Sequence, residues 1–321
     1  MTSAVRQIPS TLAELTALLG TAPGFADAVN ALHSGRSATI DGAWGSSCAL
    51  GIAAIVAADR KRCHIAVLPT IRDAEEFVDE LSDLTKSTVL LFPAWESLPE
   101  AIDAGDAIYA ARLSVVRRLN EQDRTPTLIV TCVPALLQPV PARDEIKAAT
   151  RTLSVGDELQ LDELIEWLIA RGFERVTAVE MPGEFCIHGG ILDIFPASEP
   201  DAIRIELFGD EIESIRSFNV ESQRRLEDLK RISLTATAPA ASAPNQNNTG
   251  KAQKSKTSAV AASPIFAGAT ESLIDYLPPS TVVVLNDLQQ SISEGRMYLQ
   301  RLSNPVGLYS VDATMARLTE F

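Results

Sequence analysis

The first 138 residues alternate short apolar runs with amphipathic stretches, and this alternation narrows the fold more than any other property of the chain. The runs CHIAVLP, TVLLFP and TLIVTCV read as strands buried on both faces. Between the first two, Ile71, Ala74, Phe77, Val78, Leu81 and Leu84 fall on one side of a helix, and another helix is expected near 107–120. Parallel strands need a crossover of about a dozen residues, usually a helix, so the series predicts a parallel sheet with helices on both faces. Ahead of it stand a helical TLAELTALLG, a short strand SATIDG at 37–42, and a buried helix over ALGIAAIVAA.

The stretch GAWGSSCALG, residues 42–51, joins that first strand to its helix. A phosphate-binding loop belongs there, in the helicase variant G-x-x-G-x-G-K-T, whose backbone N–H groups, lysine and hydroxyl hold phosphates and magnesium. Gly42 and Gly45 match the first two glycines, and Ser46 follows them. Ser47 stands for the last glycine, Cys48 for the lysine and Ala49 for the hydroxyl. Two readings stand on this stretch: a glycine-rich turn with no nucleotide history, or a site that has lost its chemistry. Its place between strand and helix favours the second.

From about residue 139 the pattern changes. A helix over 160–171 carries Leu161, Leu164, Ile165, Leu168 and Ile169 on one face, and short strands follow in RVTAVE, FCIHGGILDIF, AIRIELF and EIESIRSF. The last two are separated by Gly209-Asp210, and Ile203, Ile205 and Leu207 alternate with Arg204 and Glu206. That is the signal of a β-hairpin in a half-exposed antiparallel sheet. Residues 236–263, rich in Ala, Ser, Pro, Asn and Lys, hold too few large apolar side chains to order themselves and read as a flexible linker. Beyond them SLIDYLPPSTVVVLNDLQQ gives a helix, a Pro-Pro break and a buried strand.

Composition excludes several classes. A net charge of −14 works against broad binding to a nucleic-acid backbone. Cys48, Cys63, Cys132 and Cys186 show no metal-ligand spacing and His33, His64 and His188 do not cluster with them, so buried thiols are expected, with no metal and no cofactor. No run approaches the roughly 18 apolar residues of a membrane helix, and the N-terminus lacks a signal-peptide pattern. A cytoplasmic protein without a membrane partner is expected.

The segment GEFCIHGGILDIFPASEPDAIRIELFGDEIESIRSFNVESQRRLEDL resembles the module shared by UvrB and the bacterial transcription-repair coupling factors, GEFxVRGGIxDIFP followed by RIEFFGDEIESIRxFDxxTQRS. FPAWESLPEA at 92–101, AARLSVVRRL at 110–119 and SLIDYLPPSTVVVLND at 272–287 extend the likeness over nearly the whole chain. Two departures point to the coupling factors. UvrB keeps a working phosphate loop, whereas the coupling factors' N-terminal copy has lost it, and the interval between Leu98 and Arg112 leaves no room for UvrB's tyrosine-rich DNA-locking hairpin. The second motor motif also differs, because Asn286 and Asp287 follow VVVL where a working motor has Asp-Glu.

The resemblance implies an α/β fold, a degenerate P-loop helicase-like parallel sheet split by an inserted, largely antiparallel α+β module of the UvrB type. Expected domains are 1–138 for the first part of the helicase-like unit, 139–235 for the module, 236–263 for the linker and 264–321 for the return of the first unit. It implies an adaptor that binds the damage-recognition protein UvrA. In the family the arginine of VRGG and the phenylalanine of DIFP contribute to that surface; their places here are His188 and Phe195, and Arg175 is added from its neighbouring strand. RNA polymerase and DNA would be reached only through polymerase-binding and translocase domains that follow this module in the family, so a fragment or a truncated gene product is expected. The competing class is an enzyme, a divergent nucleotide hydrolase using the loop at Gly42.

Overall fold

In a computed structural model the chain is described over residues 11–98, 106–120, 127–235 and 271–321. The proposed linker lies outside these residues. Helices α1 (Leu12–Gly20) and α2 (Pro23–His33) open the chain. The alternation follows as α3 (Ser46–Ala58), β1 (His64–Leu68), α4 (Ile71–Leu84), β2 (Val89–Phe92), α5 (Ala107–Asn120) and β3 (Leu128–Cys132). A capping box starts α4: Thr70 Oγ1 accepts from Asp73 N–H at 3.1 Å, and the Asp73 carboxylate accepts from Thr70 N–H at 3.2 Å. Its apolar face then buries Ala74, Phe77, Leu81 and Leu84.

Residues 37–42 do not form the expected strand; they are irregular and exposed throughout. Ile40 is their one large apolar side chain, too little to hold a strand against a sheet edge.

After α6 (Val133–Leu137) and α7 (Arg143–Ala148) come β4 (Thr150–Ser154), α8 (Leu161–Ala170), β5 (Glu174–Arg175), β6 (Glu184–His188) and β7 (Ile191–Ile194). Strands β8 (Ala202–Phe208), β9 (Glu211–Phe218), β10 (Arg225–Leu229) and β11 (Arg231–Thr235) complete this region. The chain then returns as α9 (Leu273–Tyr276), β12 (Val282–Leu285), α10 (Leu288–Arg301) and α11 (Val311–Leu318).

The parallel sheet has the order β12-β1-β3-β2, so the return segment supplies an edge strand, with Val283 opposite Ile65. Its core gathers Ile65, Val67, Phe92, Ile129 and Val130 under α3 and α4, and Ile146 and Tyr276 pack into it. Arg112 of α5 is 3% exposed and donates to the carbonyls of Pro93, Ala135, Gln138 and Pro139 at 2.8–3.3 Å. Its guanidinium lies over the Phe92 ring at 4.2 Å; burial lowers its pKa to about 9, which leaves it a cation at neutral pH. Tyr298 of α10 accepts from Gln138 Nε2 at 2.6 Å and donates to the Trp95 carbonyl at 3.0 Å, tying the return segment to the first part.

At the end of the sheet where the strands begin, His64 is 2% exposed and its Nε2 meets no hydrogen-bond partner among the described residues. It lines a cavity of about 10 Å³ with Arg60, Arg62, Ser87 and Thr127. Burial lowers its pKa to about 4 against the pull of Asp59.

The second sheet has the order β10-β9-β8-β7-β6-β5 and is antiparallel except for β5 against β6. A two-stranded ribbon of β11 and β4 accompanies it. Phe185, Leu192, Ile194, Ile205 and Ile212 form its inner face with Leu164 and Leu168 of α8. The β8–β9 hairpin turns at Gly209-Asp210, with Gly209 at φ +63°.

FCIHGGILDIF, expected as one strand, is two. Gly189 sits at φ +62°, and a Cβ on Gly190 would come within 2.9 Å of the Leu207 carbonyl oxygen, so only glycine suits this turn. RVTAVE contributes only its arginine to β5; Val176 still donates its N–H to the Phe185 carbonyl at 2.9 Å, and its side chain packs with that of Val179 on the outer face against Cys186, Ala202 and Phe218.

Candidate functional site

Two places carry the expectations of the sequence. The first is the end of the parallel sheet where β1 and β12 finish. Gly42 and Gly45 both have positive φ, at +81° and +54°, and α3 starts at Ser46. Asn286, whose N–H bonds the Val67 carbonyl at 3.0 Å, comes near enough to Cys48 to pull its thiol pKa down, so loop and strand end do meet.

The groups gathered here are engaged with one another. Ser46 Oγ donates to Glu80 Oε1 at 2.9 Å, which sets a carboxylate from α4 at the start of α3, where an anion is favoured by the helix dipole. Trp44 N–H donates to Ser47 Oγ at 2.8 Å. Burial raises the Cys48 thiol, the nearby Asn286 opposes this, and Glu80 raises it further, which keeps the sulfur a poor nucleophile. Ala49 is fully buried in the core. Asp287, at φ +44°, accepts from Gln290 N–H at 3.0 Å and caps α10. This set does not suit a nucleoside triphosphate with its metal: the lysine position holds a thiol, the hydroxyl position faces the core, and the acid is spent on a cap. Among the described residues no group of His, Cys, Asp and Glu could hold a metal ion.

The second place is the outer face of the antiparallel sheet. Asp193 on β7 receives Arg204 of β8 through two bonds, 2.6 and 2.7 Å, and Arg204 also reaches Gln223 at 2.9 Å. The Asp193 bond raises the Arg204 pKa. One row along, Arg216 pairs with Glu206, which also accepts from Ser214 Oγ at 2.8 Å; that Ser214 bond, with Arg216 beside it, holds the Glu206 carboxyl low.

His188 ends β6 on this outer face, exposed, with Nε2 3.0 Å from the Thr177 carbonyl, so that nitrogen carries the proton. Phe195 is half-buried on the same face, against Val179, Cys186, Ala202 and Phe218. Arg175 pairs in parallel register with Phe185, an inner-face residue, and stands at the exposed edge. The fold therefore brings His188 and Phe195 to one face and leaves Arg175 on the other.

Residues 152–239 match the UvrB interaction domain. The chain is also similar to transcription-repair-coupling factors. It is 32% identical to that of Bacillus subtilis (strain 168) over 213 residues, 65% of this chain and 18% of the relative. For Escherichia coli (strain K12) the figures are 31% over 192 residues, 59% and 16%, and for Haemophilus influenzae 28% over 262 residues, 74% and 22%. The chain thus spans about a fifth of the length of these curated relatives.

The UvrB interaction domain match contains the whole outer face, including His188, Phe195 and the ion pairs, and excludes residues 42–49 and 286–287. Sequence reasoning missed Phe208, which is 80% exposed at the tip of the β8–β9 hairpin. Its signal was present: a large aromatic immediately before the Gly-Asp turn, where the strand ends. It also missed Glu80, which lies 34 residues from its partner Ser46. No helix among the described residues is long and apolar enough to cross a membrane.

Proposed function

We propose that this chain is an adaptor of transcription-coupled nucleotide excision repair, whose module over 139–235 binds UvrA, with the helicase-like part as its support. One observation carries this reading: the UvrB interaction domain match falls on the sheet whose outer face presents His188 and Phe195. The similarity to transcription-repair-coupling factors supports it. Stalled RNA polymerase and DNA would be engaged by other parts of such a factor, and the work is done in the cytoplasm. Decay of an ancestral nucleotide site accounts for the loop at Gly42, where binding groups are replaced or turned to structural use. The test is direct binding of the full chain to purified UvrA. Saturable affinity, strengthened by His188→Arg and weakened by Phe195→Ala in variants shown to be folded, is expected. Absence of any binding by the folded wild-type chain would end the adaptor reading.

A further inference from the structure

On the outer face of the antiparallel sheet the central polar groups are already paired, Asp193 with Arg204 and Glu206 with Arg216. What remains open is one end of the sheet. There Phe208 follows Glu206 and Leu207 along β8, and since Leu207 faces the inner core, Phe208 shares the outer side with Glu206 and His188. The Gly189-Gly190 turn is fixed against this strand, Leu207 N–H donating to the Gly190 carbonyl at 2.8 Å. The aromatic ring therefore stands on a rigid base. A phenylalanine left 80% exposed forgoes apolar burial that a partner could supply.

The charge around it is mostly acidic. Residues 156–159 run beside the hairpin tip, with Leu159 N–H on the Asp210 carbonyl and Ile212 N–H on that of Asp157. This gathers Asp157, Glu158, Asp210 and Glu211, all exposed. The adjoining backbone brings Lys230, whose carbonyl accepts from Val155 N–H. Such a collar repels a phosphate backbone and suits a basic protein surface.

We propose that Phe208 is the apolar anchor of the module's partner contact, entering a pocket whose rim is basic and faces the acidic collar. This rests on the adaptor reading and takes UvrA as the occupant. The anchor is distinct from His188 and Phe195, and its removal leaves the core untouched.

The experiment compares the wild-type chain, Phe208→Ala, Phe208→Tyr and the double variant Glu158→Lys with Glu211→Lys in binding to UvrA at several salt concentrations. Phe208→Ala weakens binding about thirty-fold or more, while Phe208→Tyr stays near wild type. The charge-reversed variant associates roughly ten-fold more slowly at low salt and loses most of the salt dependence. All keep the wild-type unfolding transition, because the substituted side chains are exposed. Wild type that binds UvrA while Phe208→Ala binds within about two-fold of it overturns the anchor and leaves the adaptor reading standing. Wild type that does not bind overturns both. Tighter binding of the charge-reversed protein to UvrA would overturn the basic rim, and tight wild-type binding to duplex DNA, lost in Phe208→Ala, would reassign the tip to nucleic acid.

Discussion

The end of the parallel sheet and the outer face of the antiparallel one both collect polar side chains, but they use them in opposite directions. At the first, serines and two acids are engaged within the chain: Ser46 with Glu80, Ser47 with the Trp44 N–H, Asp287 with the start of α10. At the second, pairing stops short of the sheet end and leaves His188 and Phe208 to solvent. Polar groups that fill one another's valences do structural work, whereas an aromatic left uncovered at a sheet end is free to meet another surface. The contrast comes from what each side chain touches, not from residue type.

The sharpest way to break this comparison is at Arg112, where the first region is most self-contained. Arg112→Met takes a donor from four buried carbonyls, of which that of Ala135 keeps another, the Gln138 N–H at 3.2 Å, and is expected to cost that region about 3–5 kcal/mol. Denaturant unfolding followed separately at Trp95 in the first unit and Trp167 on α8 should move the former far more than the latter. Equal shifts would mean that the two regions unfold as one.

A second probe is pH. The His64 pKa of about 4 lies below its ordinary 6.5, so the unfolded chain takes a proton that the folded chain refuses in between. The corresponding stability is complete above 6.5 and is lost as pH falls toward 4, about 3 kcal/mol in all. Urea titrations at about pH 7 and about pH 4.5 should give His64→Leu a smaller loss than wild type. Identical losses would remove His64 as the source.

The smallest expected effect is at the loop itself. ATP with magnesium should give no saturable signal up to about 1 mM, and Cys48→Lys with Ala49→Thr should not create one. That double variant instead loses about 1–3 kcal/mol, because Ala49 is fully buried and a larger polar side chain must enter the core. Micromolar nucleotide affinity in the wild type would reverse the reading of this end of the sheet.

The parallel sheet was legible because CHIAVL, VLLF and LIVTC are strongly apolar and helices separate them; the β8–β9 hairpin was legible because alternation and Gly209-Asp210 agree. SATIDG looked like a strand by composition, yet Ile40 alone gave it nothing to bury. The run FCIHGGILDIF hid its turn because apolar residues lie on both sides of His188-Gly189-Gly190, and the steric demand comes from Leu207, far along the chain. At the candidate sites, residue types at 42–49 and 286–287 revealed which groups were missing. They could not reveal that Asp287 caps a helix or that Glu80 reaches Ser46, since both follow from tertiary placement. Arg112 gave no signal at all, because a basic residue in an amphipathic helix ordinarily faces water.

The fourth strand of the parallel sheet comes from residues 282–285, whereas the other three are complete by residue 132. During synthesis, which releases the N-terminal part first, the antiparallel sheet has all its strands by residue 235 while its neighbour still lacks an edge. A ribosome paused between these points holds a finished module beside an open sheet, with β1 unpaired on the side that β12 will cover. The later-emerging Tyr298 then closes the older half by reaching back to Gln138 and Trp95. Chains stopped shortly after residue 235 should therefore yield a folded module attached to an aggregation-prone stub.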